Sequence, residues 1–147
     1  MARSEPFRLR AGHPAKLSSS EESAMTDRYD EGVRIRREVN GDALVDRILA
    51  STDEFSKPMQ DLLNEYCWGA IWGRPGLDRR SRSMLNIGML AALDRPDALA
   101  GHIRSGLVNG LTWDEVQECL LQVAVYAGMP AGLAAFDVAK RVKDEER

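Results

Sequence analysis

From Tyr29 onward, apolar residues recur at three- and four-residue intervals. Breaks fall at Asn40-Gly41, at Gly73 with Pro75 and Gly76, at Asn109-Gly110, and at Gly128 with Pro130. That spacing places apolar side chains on one face of an α-helix, and the breaks mark where each helix stops. No segment shows the strict alternation of a half-buried strand, so the chain reads as all-α. The first helices are expected over Glu31–Val39 and Ala43–Ala50, the latter with Leu44, Val45, Ile48 and Leu49 on its apolar side. Ser51, Thr52 and Asp53 are N-cap candidates for the next. Pro58 stands near the start of a helix running through Leu62, Leu63 and Tyr66 toward Trp72. Asp78 is expected to cap Arg79–Leu93. Asp94-Arg95-Pro96-Asp97 opens a helix that closes at Asn109-Gly110. Thr112 and Glu115 form a capping box at the head of a long apolar helix, which Gly128 and Pro130 stop. A last helix carries Leu133, Phe136, Val138 and Val142.

Composition narrows the class. The chain has 147 residues, 44% hydrophobic and 29% charged, enough for one domain with its own core. Twenty Lys and Arg stand against 23 Asp and Glu, a net charge of -3 that leaves no basic excess for nucleic acid. No apolar run approaches the roughly 18 residues of a membrane span. The expected setting is cytoplasmic, with neither nucleic acid nor membrane as partner. Cys67 and Cys119 form no CxxC pair; a long-range disulfide is the alternative to reading them as two small buried hydrophobes. His13 and His102 are the only histidines, and no metal site is expected.

Residues 1–28 read as a disordered leader preceding a domain at 29–147. The stretch has no apolar period, and Ser18, Ser19 and Ser20 are followed by Glu21 and Glu22. Arg3, Arg8 and Arg10 have no apolar segment after them, so it is no secretory signal. A start at Met25 would account for the leader as a mis-assigned beginning. In the domain, much of Leu121–Phe136 is apolar all round, which calls for burial on several sides. A homo-oligomer is expected.

Two features can carry chemistry. His102 flanks the apolar face of its helix, and its ordinary pKa suits a general acid or base. The alternative is a partly buried histidine bonded to a neighbour. Trp68 and Trp72, at i and i+4, share one helix face, with Arg74, Arg79, Arg80 and Arg82 close behind. They read either as a core aromatic pair beside a solvated basic turn or as an apolar pocket with an anion at its mouth. Four arginines at a helix start oppose the macrodipole and call for an anionic neighbour, either a ligand or an acidic subunit.

The segments YDEGVRIRREVNGD, YCWGAIWGRPGLDRRSRSML and GHIRSGLVNGLTWDEVQECLLQVAVYAGMPA resemble the carboxymuconolactone decarboxylase family, over Tyr29 to about Lys140. Trp68 to Leu77 is the part that points to the 4-carboxymuconolactone decarboxylase branch. The resemblance implies a compact helical-bundle subunit of the alkylhydroperoxidase-D-like fold, assembled as a homotrimer or homohexamer. It also implies cofactor-free decarboxylation of a small carboxylated lactone to an enol-lactone in aromatic catabolism. His102 matches the family histidine as catalytic proton donor. Arg74, Arg82 and Arg104 match arginines of the pattern and would hold carboxylates, while Trp68 and Trp72 would exclude water. The branch commonly has Glu where this chain has Ala70, and His where it has Leu44. Glu65, about 140° away on an ideal α-helix, does not replace that Glu. The branch also often has His at Gln122. These departures keep two alternatives open: a diverged member catalysing another proton transfer or isomerisation, and a non-catalytic oligomeric binding protein. A thiol peroxidase of this fold would need a CxxC, and Arg95 and Ala98 stand roughly where it would be.

Overall fold

A computed structural model describes residues 18–145, and the described residues are helical, with no strand. Helix α1 spans Ser19–Asn40, α2 Asp42–Ser51 and α3 Lys57–Leu62. The chain then continues without a break into a π-helical segment, Leu63–Trp72. Helices α4 (Arg79–Ala92), α5 (Pro96–Val108), α6 (Trp113–Tyr126) and α7 (Met129–Glu145) complete the subunit. None of these helices is long and apolar enough to cross a membrane.

Local chemistry explains most boundaries. Asp78 accepts from the Ser81 amide at 2.8 Å and caps α4. At the head of α6, Thr112 Oγ1 accepts from Glu115 N at 3.2 Å, and the Glu115 carboxylate accepts from Thr112 N at 2.9 Å. Asp94 adopts a left-handed φ of 51° at the α4–α5 turn, a conformation Asp tolerates.

Three expectations change. Helix α1 is far longer than Glu31–Val39 and runs through position 28, where a leader was expected to end. Its start is a second capping box, Ser18 with Glu21, inside what reads as a polar low-complexity run. The rest of the expected leader, residues 1–17, lies outside the described residues, whereas Met25 falls within α1. Ser51, Thr52 and Asp53 cap nothing directly: Asp53 instead accepts from Ser56 N and Oγ in a turn before α3. Pro130 does not stop a helix. It is the second residue of α7, where a missing N–H leaves nothing unsatisfied.

Two cores result. Helices α4 to α7 share the larger one, built around Ile87, Leu99, Ile103, Val116, Leu120 and Val138. Ile35 and Val39 of α1 pack with Trp68 and Trp72 of the π-helical segment in the smaller one. The second core depends on close backbone approach. A Cβ on Gly32 would lie 1.8 Å from the Asn64 carbonyl oxygen, so only glycine lets α1 seat against the π-helical segment. The two cores meet where α1 contacts α5.

Candidate active site

A cavity of about 490 Å³ opens between the two cores, within the range of small-molecule sites. Five elements wall it, each through a helical stripe. Helix α5 supplies Ala98, Gly101, His102 and Ser105, at i, i+3, i+4 and i+7. Helix α4 and its C-cap repeat that spacing with Asn86, Met89, Leu90 and Leu93. Helices α1 and α2 each give an i, i+4 pair, Arg36 with Asn40 and Leu44 with Ile48.

The π-helical segment presents Leu63, Cys67, Trp68 and Trp72. Leu63 and Trp72 are nine positions apart, about two and a half turns of an α-helix, which would set them on opposite faces. An i→i+5 ladder fits almost one residue more into each turn. Nine positions then make about two turns, and all four side chains share the cavity face. The wider winding is what turns the tryptophan pair inward as a wall. Their ring centroids lie 4.9 Å apart, tilted by 33°. The pair is at once core and cavity lining.

His102 is half-buried on this wall, and its Nδ1 is enclosed with no hydrogen bond. Burial holds its pKa below the ordinary 6.5, so the imidazole is neutral at neutral pH. Nearby, Ser105 Oγ donates to Asn40 Oδ1 at 2.6 Å and ties α5 to α1, leaving the Asn40 NH2 as a donor. Burial pushes the Cys67 thiol up, although Arg36 and Trp72 draw it back. Cys119, away from the cavity, is also pushed up by burial.

The structure brings His102, Trp68 and Trp72 together at this cavity, but Arg74, Arg82 and Arg104 do not line it. Arg82 closes the loop before α4, donating from Nε to the Leu77 carbonyl at 3.1 Å and from Nη2 to the Arg74 carbonyl at 3.2 Å. Arg104 pairs with Glu145, and Arg74 borders an exposed groove with Glu31 and Pro75. The anionic neighbours that the arginine cluster calls for lie within the chain: Arg79 pairs with Glu38, and Arg80 with Glu115.

The cation that does line the cavity is Arg36, which sequence reasoning missed. It is 6% exposed, and Nη1 donates to Gln60 Oε1 and Asn64 Oδ1, each at 2.9 Å. A readable signal existed. Arg36 lies four residues after Gly32 and four before Asn40, so it shares the face that glycine presses against a neighbouring helix.

Ala70 is not on the cavity wall, whereas Leu44 is. The π-ladder brings Glu65 nearer to the face of Ala70 than an α-helix would. Glu65 nonetheless opens on a different groove, with Lys57 and Asp61, and its carboxylate lies 3.9 Å from Arg28.

Comparison with known proteins settles the family. The model of the carboxymuconolactone decarboxylase family matches residues 57–141. The chain belongs to the carboxymuconolactone decarboxylase family. Among its relatives, a 4-carboxymuconolactone decarboxylase of Acinetobacter baylyi is 41% identical over 115 residues, covering 78% of this chain and 86% of that protein. A nitrosuccinic acid decarboxylase of Metarhizium robertsii is 37% identical over 113 residues, covering 77% and 79%. A 4-carboxymuconolactone decarboxylase of Pseudomonas putida matches over 42 residues at 40% identity, covering 29% of this chain and 88% of that sequence. The family match begins at Lys57, so His102, Trp68 and Trp72 lie inside it and Arg36 lies before it.

Proposed function

We propose that this chain is a cofactor-free carboxy-lyase acting on a small substrate that bears a carboxylate and an electron-withdrawing group. 4-Carboxymuconolactone is the first candidate. The observation that carries the reading is His102, with its buried, unpaired ring nitrogen on an otherwise largely apolar wall. The substrates named for the two longer-matching relatives share the needed chemistry, since each has an electron sink to receive the pair released with CO2. In the lactone that sink is the ring carbonyl, reached through the double bond. In nitrosuccinate it is the nitro group.

The steps follow from the residues. An anionic substrate entering the cavity favours the protonated imidazole, so His102 takes a proton from solvent on binding. The bond to the departing carboxylate breaks, its electron pair runs to the sink, and CO2 leaves. The amides of Asn40 and Asn86, both on the cavity wall, would donate to the developing oxyanion. His102 then delivers its proton to carbon and returns to neutral. Trp68 and Trp72 keep water from the charge while it forms.

One observation favours a second reading. Leu44 stands on the wall where the branch commonly has His, and among the described residues no Asp or Glu lines the cavity. His102 therefore works without an acidic partner, as it would in moving a proton between two carbons with no loss of CO2.

A homo-oligomer belongs to the same proposal. Val125, Tyr126, Met129 and Leu133 are exposed around the α6–α7 turn, an apolar surface that a second copy would cover. CO2 measurement on 4-carboxymuconolactone and on nitrosuccinate tests the main reading. Release from either supports it, and double-bond migration without CO2 selects the second.

A further inference from the structure

We propose that Arg36 anchors the carboxylate that the substrate keeps, with Gln60 and Asn64 fixing the guanidinium as positioning residues. This rests on the decarboxylase reading for the reaction, but the binding claim stands on Arg36 itself. Among the described residues Arg36 makes no ion pair, and its partners are two neutral amides. It is more than nine-tenths buried and lines the cavity. Both amides take Nη1, while Nε is buried without a hydrogen bond. A buried cation without a counter-charge is unfavourable unless something anionic joins it. With Nη1 taken by the two amides and Nε enclosed, Nη2 is the donor left for a carboxylate.

The remaining wall decides which carboxylate binds there. Leu44, Leu63, Trp68, Trp72 and Leu93 offer no charge, and His102 is neutral before substrate arrives. A dianionic substrate thus finds one fixed cation. The carboxylate on Arg36 stays solvated by protein, whereas the other faces the apolar wall and loses its charge by leaving as CO2. The bond between that carboxyl carbon and the substrate breaks, its electrons pass to the substrate's own sink, and the proton from His102 completes the product. The favoured substrate class is a small dicarboxylate with the sink next to only one of its carboxyl groups.

Calorimetric titration of succinate and monomethyl succinate provides the test, independent of turnover. Wild type should bind succinate at millimolar concentration and prefer it to the monoester. Arg36→Gln and Arg36→Met should each weaken succinate by at least about tenfold and erase that preference. Arg36→Lys should recover part of the loss. Both neutral variants should stay folded, with a lowered melting temperature because the Gln60 and Asn64 acceptors lose their donor. Loss of folding in either variant would mark Arg36 as structural. In wild type alone, a buried arginine Nε–H resonance, assigned by its absence in Arg36→Lys, should shift on adding succinate. The proposal is overturned if wild type does not bind succinate, if that resonance does not move, or if the loss appears in Arg104→Gln instead. Arg36-dependent binding in a protein that releases no CO2 from any carboxylated substrate would count against the decarboxylase reading alone.

Discussion

His102 and Arg36 face one cavity in opposite states. One is a base kept neutral by burial, and the other a cation kept without a counter-ion. Burial lowers the folded pKa of His102 below 6.5, so the unfolded chain binds its proton more readily. Stability should therefore rise with pH between the lowered folded value and about 6.5, and should not depend on this group above that. Thermal melts of wild type and His102→Gln over about pH 5 to 8 check this. The wild type should lose stability relative to the variant on the acid side, and parallel profiles would contradict it. Substrate binding should also take up a proton near neutral pH, seen as a binding heat that depends on the buffer. At this scale, the sequence made His102 legible through its place beside an apolar face. It hid Arg36, because four arginines within nine positions drew attention to Arg74 through Arg82. Charge density marked a cluster in which Arg79 and Arg80 already have acidic partners, whereas the cation on the cavity wall, Arg36, stands apart from it.

The π-helical segment is the element on which the site turns, and it is seated on α1 through close backbone approaches at Gly32 and Gly69. Gly32→Ala would drive a methyl group into the Asn64 carbonyl, the residue whose side chain holds Arg36. It should cost about 1–3 kcal/mol and weaken ligand binding as α1 lifts away. Gly88→Ala provides the contrast. Nothing lies within 4 Å of its added Cβ, so α4 should gain about 0.5–1 kcal/mol. Denaturant unfolding of both variants measures the difference. The helices themselves were readable where capping chemistry is explicit, at Asp78 and at Thr112 with Glu115. The Ser18 and Glu21 box follows the same rule but is masked by a run of serines and acids. The π-winding was not readable, because a spacing judged at 3.6 residues per turn places Leu63 and Trp72 on opposite faces. No short-range residue pattern announces the wider ladder.

At the scale of the whole molecule, the described subunit leaves an apolar belt around the α6–α7 turn. Tyr126 is 81% exposed and Leu133 69%. Light scattering should give a homo-oligomer, and Tyr126→Asp with Leu133→Asp should shift it toward smaller species. A monomeric wild type at micromolar concentration would remove the proposed assembly. The all-helical class was legible throughout, since every break at Gly or Asn-Gly has its counterpart in the fold. The site was legible only in part. Its two halves come from cores far apart in the chain, and their meeting depends on long-range packing of α1 against α5 rather than on any local motif.

The central claim is that CO2 leaves a substrate held in the His102 cavity. Its most direct test is single-turnover release of labelled CO2 from carboxyl-labelled 4-carboxymuconolactone, comparing wild type with His102→Ala. Wild type should release label as the enol-lactone appears. His102→Ala should slow release by about 10²–10⁴-fold while remaining folded. Release by a folded His102→Ala at the wild-type rate would contradict the account.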